Sequence, residues 1–143
     1  MKRSEALIPL SHDHQHGLDA ALRLRRASAD SASEAAAHFE QFWTGEGRHH
    51  FEIEERVLLG ALPDSTPGWS DLTGRVRREH EDIRERAAAV ADGGRDVSAL
   101  RQLGDRLHDH IRFEERELFL ILEASLSDAE LSRLGAAIAQ AHG

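Results

Sequence analysis

The sequence contains no cysteine, no tyrosine and a single lysine, and the first of these absences narrows its chemistry most. Without cysteine there are no disulfides, thiolate nucleophiles, iron–sulfur clusters or cysteine-based zinc sites. Any metal must therefore be held by histidine and carboxylate. No apolar run is long enough for a signal-peptide core or a membrane span, so we expect a cytoplasmic protein without a membrane partner.

Length and charge limit the class of protein further. The chain has 143 residues, enough for one domain over residues 1–143 and too few for two ordinary ones. Its 26 acidic residues outnumber 18 basic ones, and the formal net charge is -8. Because such a surface repels phosphates, we expect no nucleic-acid partner.

Apolar residues recur at helical spacing along almost the whole chain, and no stretch alternates with period two. Start and stop signals predict helices over about 11–29, 33–62, 70–91, 96–125 and 127–141. Ser11 and Ser70 are the expected caps of the first and third, and Ser127 and Glu130 form a capping box at the start of the fifth. The second must contain Gly45 and Gly47, which permit close packing or mark a break. Four long helices with short connections predict an all-α, up-down-up-down four-helix bundle, with a short C-terminal fifth helix against it.

Two helices each carry a histidine and a glutamate within an apolar stripe. In the fourth helix His110 and Glu114 interrupt such a stripe, and in the second helix His50 and Glu54 do the same. The fourth-helix stripe consists otherwise of Leu100, Leu103, Leu107, Leu118 and Ile121. The nine residues that begin at His50 and the nine that begin at His110 are identical at five positions, and both contain H-x-x-x-E.

The first and third helices carry one inward histidine each. His14 follows Asp13, and His80 follows Glu79, so an acid–histidine pair occurs in both. The order His, H-x-x-x-E, His, H-x-x-x-E indicates two copies of a helix pair. Such copies predict a pseudo-symmetric bundle in which all six side chains reach one level.

Burying these groups together is costly unless cations neutralise them. Residues at i and i+4 have Cβ atoms roughly 5 to 6 Å apart, so the histidine of each pair can bind one ion while its glutamate bridges to a second. Two ions roughly 3.5 to 4 Å apart fit such a bundle. We expect one ion on His14 and His50, the other on His80 and His110, and bridges from Glu54 and Glu114.

Counting the protein ligands indicates how many coordination positions two metal ions would keep open for a small molecule. Two octahedral ions need about twelve ligand positions, and four histidines, two bridging glutamates and one bridging oxide or hydroxide leave about two open. Open positions on two iron ions suit dioxygen, peroxide or nitric oxide. Zinc and manganese also accept this ligand set.

The chain resembles hemerythrin-like proteins, the HHE cation-binding domains, from Leu10 to Glu123. Its most specific matches are the segments that begin at His50 and His110. The resemblance implies a four-helix bundle with a non-haem di-iron centre on the same six residues. The familiar oxygen carriers have H-x-x-x-H on the third helix and H-x-x-x-x-D on the fourth. Here Arg84 replaces that histidine and Glu114 comes one residue before that aspartate, which argues against reversible oxygen carriage of the familiar kind.

The leading functional hypothesis is a di-iron protein that binds or senses dioxygen, peroxide or nitric oxide, and a binding protein is favoured over an enzyme. The alternatives are a di-iron oxidase or ferroxidase, a protein that slowly decomposes peroxide, and a metal-free helical interaction module. Ferritin-like oxidases use E-x-x-H on two helices. The chain offers one off-stripe candidate, which begins at Glu46 and ends at His49.

Several charged and histidine side chains beside the stripes have two interpretations. Glu55 and Glu115 are expected to form surface pairs with arginines such as Arg56 and Arg116, or else to hold the outer ring nitrogen of a ligand histidine. Arg84 faces solvent near Glu81 or Glu85, or leans inward toward a bound anionic oxygen species. His12 and His16 are expected to form an exposed pair at i and i+4 rather than a metal site; if either replaced the histidine missing at Arg84, fewer coordination positions would stay open. The remaining histidines expected on the surface are His38, His49, His108 and His142.

Overall fold

Five helices follow one another in this computed structural model, which describes residues 2–143. A 3-10 turn over Glu5–Leu7 leads into α1, Ile8–Arg25. Helix α2 is continuous and consists of the segments Ala32–Phe42, Trp43–Gly47, Arg48–Ile53, Glu54–Leu58 and Leu59–Ala61. Helix α3 spans Trp69–Ala91, α4 joins Val97–Phe113, Glu114–Leu118 and Phe119–Ser125, and α5 spans Asp128–His142. The predicted all-α fold is confirmed.

The predicted caps are correct for α5 and wrong for α1 and α3. Helix α5 begins with a capping box in which the Ser127 side chain accepts from the Glu130 N–H. Helix α1 begins at Ile8 instead of at Ser11, because a proline in its first turn continues the 3-10 turn into the helix. Helix α3 follows Gly68, whose φ of 74° is readily accessible to glycine, so Ser70 lies inside the helix.

The four long helices alternate in direction between two apolar clusters. One cluster contains Leu10 and Leu58, and the other contains Ala21 and Trp43. Helix α1 therefore runs from the first cluster to the second, and α2 returns; α3 and α4 repeat this path. Each helix packs against the next, and α4 packs against α1. This closed ring confirms the up-down-up-down bundle.

Helices α1 and α4 approach each other closely at Gly104. A Cβ there would lie 2.8 Å from the Ala21 carbonyl oxygen and 2.8 Å from the Arg25 backbone nitrogen. Helix α5 packs against α1 and α2 in the half of the bundle that contains Leu10 and Leu58, and the side chains of Leu134 and Ile138 are buried there. None of the helices in the described part of the chain carries an apolar stretch that could cross a bilayer.

Between the two apolar clusters lies a layer of buried polar side chains. These are Asp13, His14, His50, Glu54, His80, His110 and Glu114, and each is at most 4% exposed. The layer takes contributions from all four long helices, so the bundle brings polar groups distant in sequence to one level. Because apolar packing closes both ends of this layer, its polar groups have little contact with water. They must therefore neutralise one another or bind an ion.

Candidate metal centre

The six predicted ligands come together in the buried polar layer. Their donor atoms form two groups of four, each with all its atoms within 4.8 Å of one another. One group is His14, His50, Glu54 and Glu114, and the other is Glu54, His80, His110 and Glu114. Both glutamates belong to both groups. The two histidine pairs are those expected from the repeat, and their role as ligands stays a prediction.

Each glutamate directs one oxygen into each group. Glu54 Oε2 lies 3.0 Å from His50 Nε2, and Glu54 Oε1 lies 3.0 Å from His80 Nε2. Glu114 Oε2 lies 3.1 Å from His110 Nε2, and Glu114 Oε1 lies 2.9 Å from His14 Nε2. Every glutamate thus contacts the histidine of its own helix with one oxygen and a histidine of another helix with the second. Carboxylates placed in this way can bridge two ions.

A second set of four carboxylates surrounds the centre and contacts the outer nitrogen of each histidine. Asp13 Oδ2 of α1 lies 2.9 Å from His50 Nδ1 of α2, and Glu55 Oε2 of α2 lies 2.6 Å from His80 Nδ1 of α3. Glu79 of α3 contacts His110 of α4 at 2.7 Å, and Glu115 of α4 contacts His14 of α1. We call these four acids the outer carboxylates. Each helix supplies one to the next, which closes a ring.

Each outer carboxylate contacts a basic side chain in turn. Arg3 Nη2 donates to Glu115 at 3.2 Å, and Arg75 Nε donates to Glu79 at 2.8 Å. Arg84 Nη1 donates to Glu55 Oε2 at 2.8 Å, so its guanidinium is engaged by an outer carboxylate instead of an interior anion. His142 Nε2 of α5 lies 2.9 Å from Asp13 Oδ2.

The expectation that Glu55 and Glu115 form surface pairs is wrong, because both hold the outer ring nitrogen of a buried histidine. His142 is exposed, as expected, and also contacts Asp13. Arg56 and Arg116 are exposed. A position one residue after an inward side chain is rotated by about 100° and here faces the neighbouring helix, where a carboxylate can reach across.

The charge and proton arrangement of the centre fits a pair of cations. An outer carboxylate at Nδ1 makes that nitrogen the donor, so each Nε2 presents a lone pair to the interior. His50 Nε2 lies only 3.1 Å from His14 Nε2, and two lone pairs at this distance repel unless a proton or a cation lies between them. Three buried interior atoms have no hydrogen-bond partner: Glu54 Oε2, His110 Nε2 and Glu114 Oε2. The donors therefore suit metal ions.

In the metal-free protein, protons take the place of cations. Burial lowers the pKa of His50, but the Glu54 charge and the Asp13 hydrogen bond outweigh it and raise this pKa to about 9. Burial likewise opposes ionisation of His80, yet the neighbouring carboxylates of Glu114, Glu54 and Glu55 raise its pKa to about 10. Burial works against the Glu55 carboxylate as well, but His80 and Arg84 lower the Glu55 pKa to about 2. The centre thus favours bound positive charge, whether protons or metal cations.

Three π-helical segments lie close to the centre in sequence. Two of them begin at Glu54 and Glu114, since the Leu59 N–H donates to the Glu54 carbonyl and the Phe119 N–H to the Glu114 carbonyl. The third, Trp43–Gly47, ends one turn before His50. Each adds a residue to a turn and rotates the following residues around the helix axis.

Apolar groups pack against the buried histidines. The Phe51 ring stacks on the His80 ring with centroids 3.8 Å apart and planes 4° apart, and the Phe119 ring stacks on the His14 ring with centroids 5.3 Å apart. Ile53 and Phe113 are buried, at 2% and 3% exposure. These contacts exclude water from the Nε2 atoms and fix the ring orientations.

The remaining histidines lie outside the centre. His12, His16 and His49 are exposed, while His38 and His108 keep 31% and 29% of their side chains accessible. Glu46 contacts His16 at 2.6 Å, and His49 contacts the Ala141 carbonyl at 2.8 Å. The one E-x-x-H sequence considered for a ferritin-like oxidase therefore points away from the buried glutamates.

Comparison with known proteins assigns the family. Neither the curated proteins nor the solved structures give a match to the chain. The family model described as the hemerythrin HHE cation binding domain matches residues 9–122, a range that contains all six residues of the buried centre and all four outer carboxylates. A buried His/Glu cluster within a matching four-helix bundle fits a metal-binding site. The chain therefore belongs to the hemerythrin HHE cation-binding domain family.

Proposed function

We propose that this protein binds two iron ions, one on His14 and His50 and the other on His80 and His110, with Glu54 and Glu114 bridging them. The observation that carries the proposal is the division of each glutamate between the two groups, with one oxygen near a histidine of each pair. A single-ion site would not need two carboxylates arranged in this way.

Iron fits this donor set because imidazole and carboxylate together suit redox-active first-row metals. When bound, an iron pair with a bridging oxide or hydroxide supplies electron transfer and open coordination positions. Zinc and manganese accept similar donors and are the competing ions. The protein's own contribution is to hold four Nε2 lone pairs inward, because the outer carboxylates keep a proton on each Nδ1.

We propose that the small-molecule ligand is dioxygen, peroxide or nitric oxide. The argument is the enclosure of the interior: the polar layer is buried, and Phe51 and Phe119 cover two of its histidines. Arg84 is occupied by Glu55, which leaves it no role on an anionic ligand in this arrangement. A small uncharged molecule suits such an enclosed site better than a large or charged substrate.

Binding or sensing is favoured over an oxidase because the Glu46-to-His49 sequence does not reach the centre. Steady turnover of ferrous iron or of peroxide by the loaded protein would instead support the enzymatic alternatives.

We also propose that the protein is located in the cytoplasm. Cell fractionation tests this location.

The proposal is tested by loading the protein with ferrous iron under argon, removing free metal, and measuring iron per chain and the optical spectrum before and after exposure to air. We expect two irons per chain and new charge-transfer absorption after air. A protein that stays colourless and metal-free would refute the proposal and leave the helical interaction module as the explanation.

Matched variants test whether the iron stabilises the bundle through the predicted ligands. His50→Ala and His110→Ala should each lose most of the iron-dependent rise in Tm, because a ligand bound only by the folded state stabilises that state. His108→Ala, which removes a histidine of α4 outside the centre, should keep it. Equal iron-dependent stabilisation in all three variants would contradict the assigned ligands.

A further inference from the structure

A second histidine pair lies on the opposite face of α1 from His14. His12 and His16 are both exposed and are separated by one helical turn, while His14 between them is buried. Their ring centroids are 5.0 Å apart, and the ring planes meet at 75°. This pair shares no residue with the buried centre.

The spacing of this exposed pair matches that of the buried pairs. The His14 and His50 rings have centroids 4.8 Å apart, and so do the His80 and His110 rings. Two imidazoles bound to one tetrahedral ion at a metal–nitrogen distance of about 2.0 to 2.1 Å have centroids roughly 5 Å apart. The exposed pair is therefore already at a separation at which both rings can bind one ion.

A carboxylate from another helix orients one ring of the pair. Glu46 Oε1 of α2 lies 2.6 Å from His16 Nδ1, the same kind of contact that the outer carboxylates make with the buried histidines. It favours the proton on Nδ1 and leaves the Nε2 lone pair free. His12 and His16 are both exposed, so water can complete the coordination of an ion that they hold.

We propose that His12 and His16 form a separate surface site for one divalent ion that prefers imidazole, such as Ni²⁺, Cu²⁺ or Zn²⁺, with Glu46 orienting His16. Two exposed imidazoles completed by water follow the general affinity order of first-row metals, in which copper, nickel and zinc exceed ferrous iron. The buried centre differs because its two glutamates add anionic oxygen ligands. The surface site therefore stands independently of the di-iron proposal.

Nickel titration of the full chain, followed by calorimetry, tests the site. We expect His12→Ala and His16→Ala each to weaken binding at the surface site at least about tenfold, since either removes half of the protein ligands. Glu46→Gln should weaken it by up to about tenfold, because such carboxylates orient a ligand histidine and raise its basicity. His108→Ala should bind nickel as the wild type does.

Nuclear magnetic resonance locates the ion independently of affinity. Substoichiometric Cu²⁺ should broaden backbone signals around His12, His16 and Glu46 first, and those around His80 and His110 much less. Broadening centred on His80 and His110 would overturn the proposal, as would unchanged nickel affinity and stoichiometry in the His12→Ala/His16→Ala double variant. Iron content should be unchanged in this variant, so failure here is distinguishable from failure of the buried centre.

Discussion

Replacing Glu55 with glutamine tests the outer carboxylates as supports of the metal centre. Glu55 Oε2 lies 2.6 Å from His80 Nδ1 and 2.8 Å from Arg84 Nη1, and the Glu55 pKa falls to about 2. Hydrogen bonds between charged groups contribute about 1.5 to 3 kcal/mol each to stability. Because the Glu55 side chain is 20% exposed, solvent screening reduces the combined effect, and we expect a loss of about 2 kcal/mol in the metal-free protein.

For a chain of this length such a loss lowers Tm by roughly 4 to 8 °C. The effect on metal binding should be larger, because carboxylates that hold ligand histidines typically contribute 10- to 100-fold to affinity. Glu55→Gln keeps the shape of the side chain and one acceptor oxygen but removes the charge that holds the His80 Nδ1 proton. We therefore expect ferrous iron affinity to fall by about tenfold or more.

Glu52→Gln is the matched control, since Glu52 lies three residues earlier on α2 with a side chain that is 48% exposed. Tm is measured by circular dichroism, and affinity by anaerobic competition with a chromophoric chelator. We expect Glu52→Gln to behave like the wild type in both assays. If the two variants had the same iron affinity, the outer carboxylate at Glu55 would have no part in metal binding.

Three further outcomes follow from protons and packing. Because the pKa values of His50 and His80 are raised to about 9 and 10, iron loading near neutral pH should release protons, and iron affinity should rise with pH. Calorimetry in buffers of different ionisation enthalpy measures the number of protons released. Iron binding without proton release would contradict the raised pKa values. The same raised pKa values stabilise the metal-free fold fully below about pH 6.5, and urea unfolding should show this contribution lost as pH rises through 9 to 10. Gly104→Ala should destabilise the fold by about 1 to 3 kcal/mol, because the added Cβ meets backbone atoms of α1. Gly45→Ala should be neutral or stabilising, because nothing lies within 4 Å of a Cβ at Gly45. Equal urea midpoints for the two variants would refute this packing argument.

The inward positions could be predicted because helical spacing places them in apolar stripes. His110 and Glu114 interrupt a leucine-rich stripe, and His14 and His80 lie in line with apolar neighbours, so all four were expected at the level where the structure buries them. The repetition of the pattern in two halves of the chain also gave the pairing of helices. Periodicity thus determines which side chains face inward.

The outer carboxylates were harder to predict because each lies one residue from an inward position. Periodicity alone cannot distinguish a flank that faces solvent from a flank that faces the next helix. A signal was nevertheless present, since an acid adjoins an inward residue in all four helices. Asp13, Glu55, Glu79 and Glu115 each follow or precede such a residue directly.

The π-helical segments could not be predicted from periodicity, which assumes a constant turn. In α4 the stripe was extended to Ile121, but the segment Glu114–Leu118 adds one residue, so Phe119 and Leu122 are fully buried and Ile121 is only partly buried. The same change in α2 buries Leu59. The extra residue depends on how the glutamate and the core after it are packed, and that is a tertiary effect.

The most direct test of the account is the iron anomalous signal in crystals of the loaded protein. The account predicts two iron peaks inside the bundle, each at bonding distance from one histidine pair and from one oxygen of both Glu54 and Glu114. A single peak, or peaks outside the layer between the two apolar clusters, would contradict it.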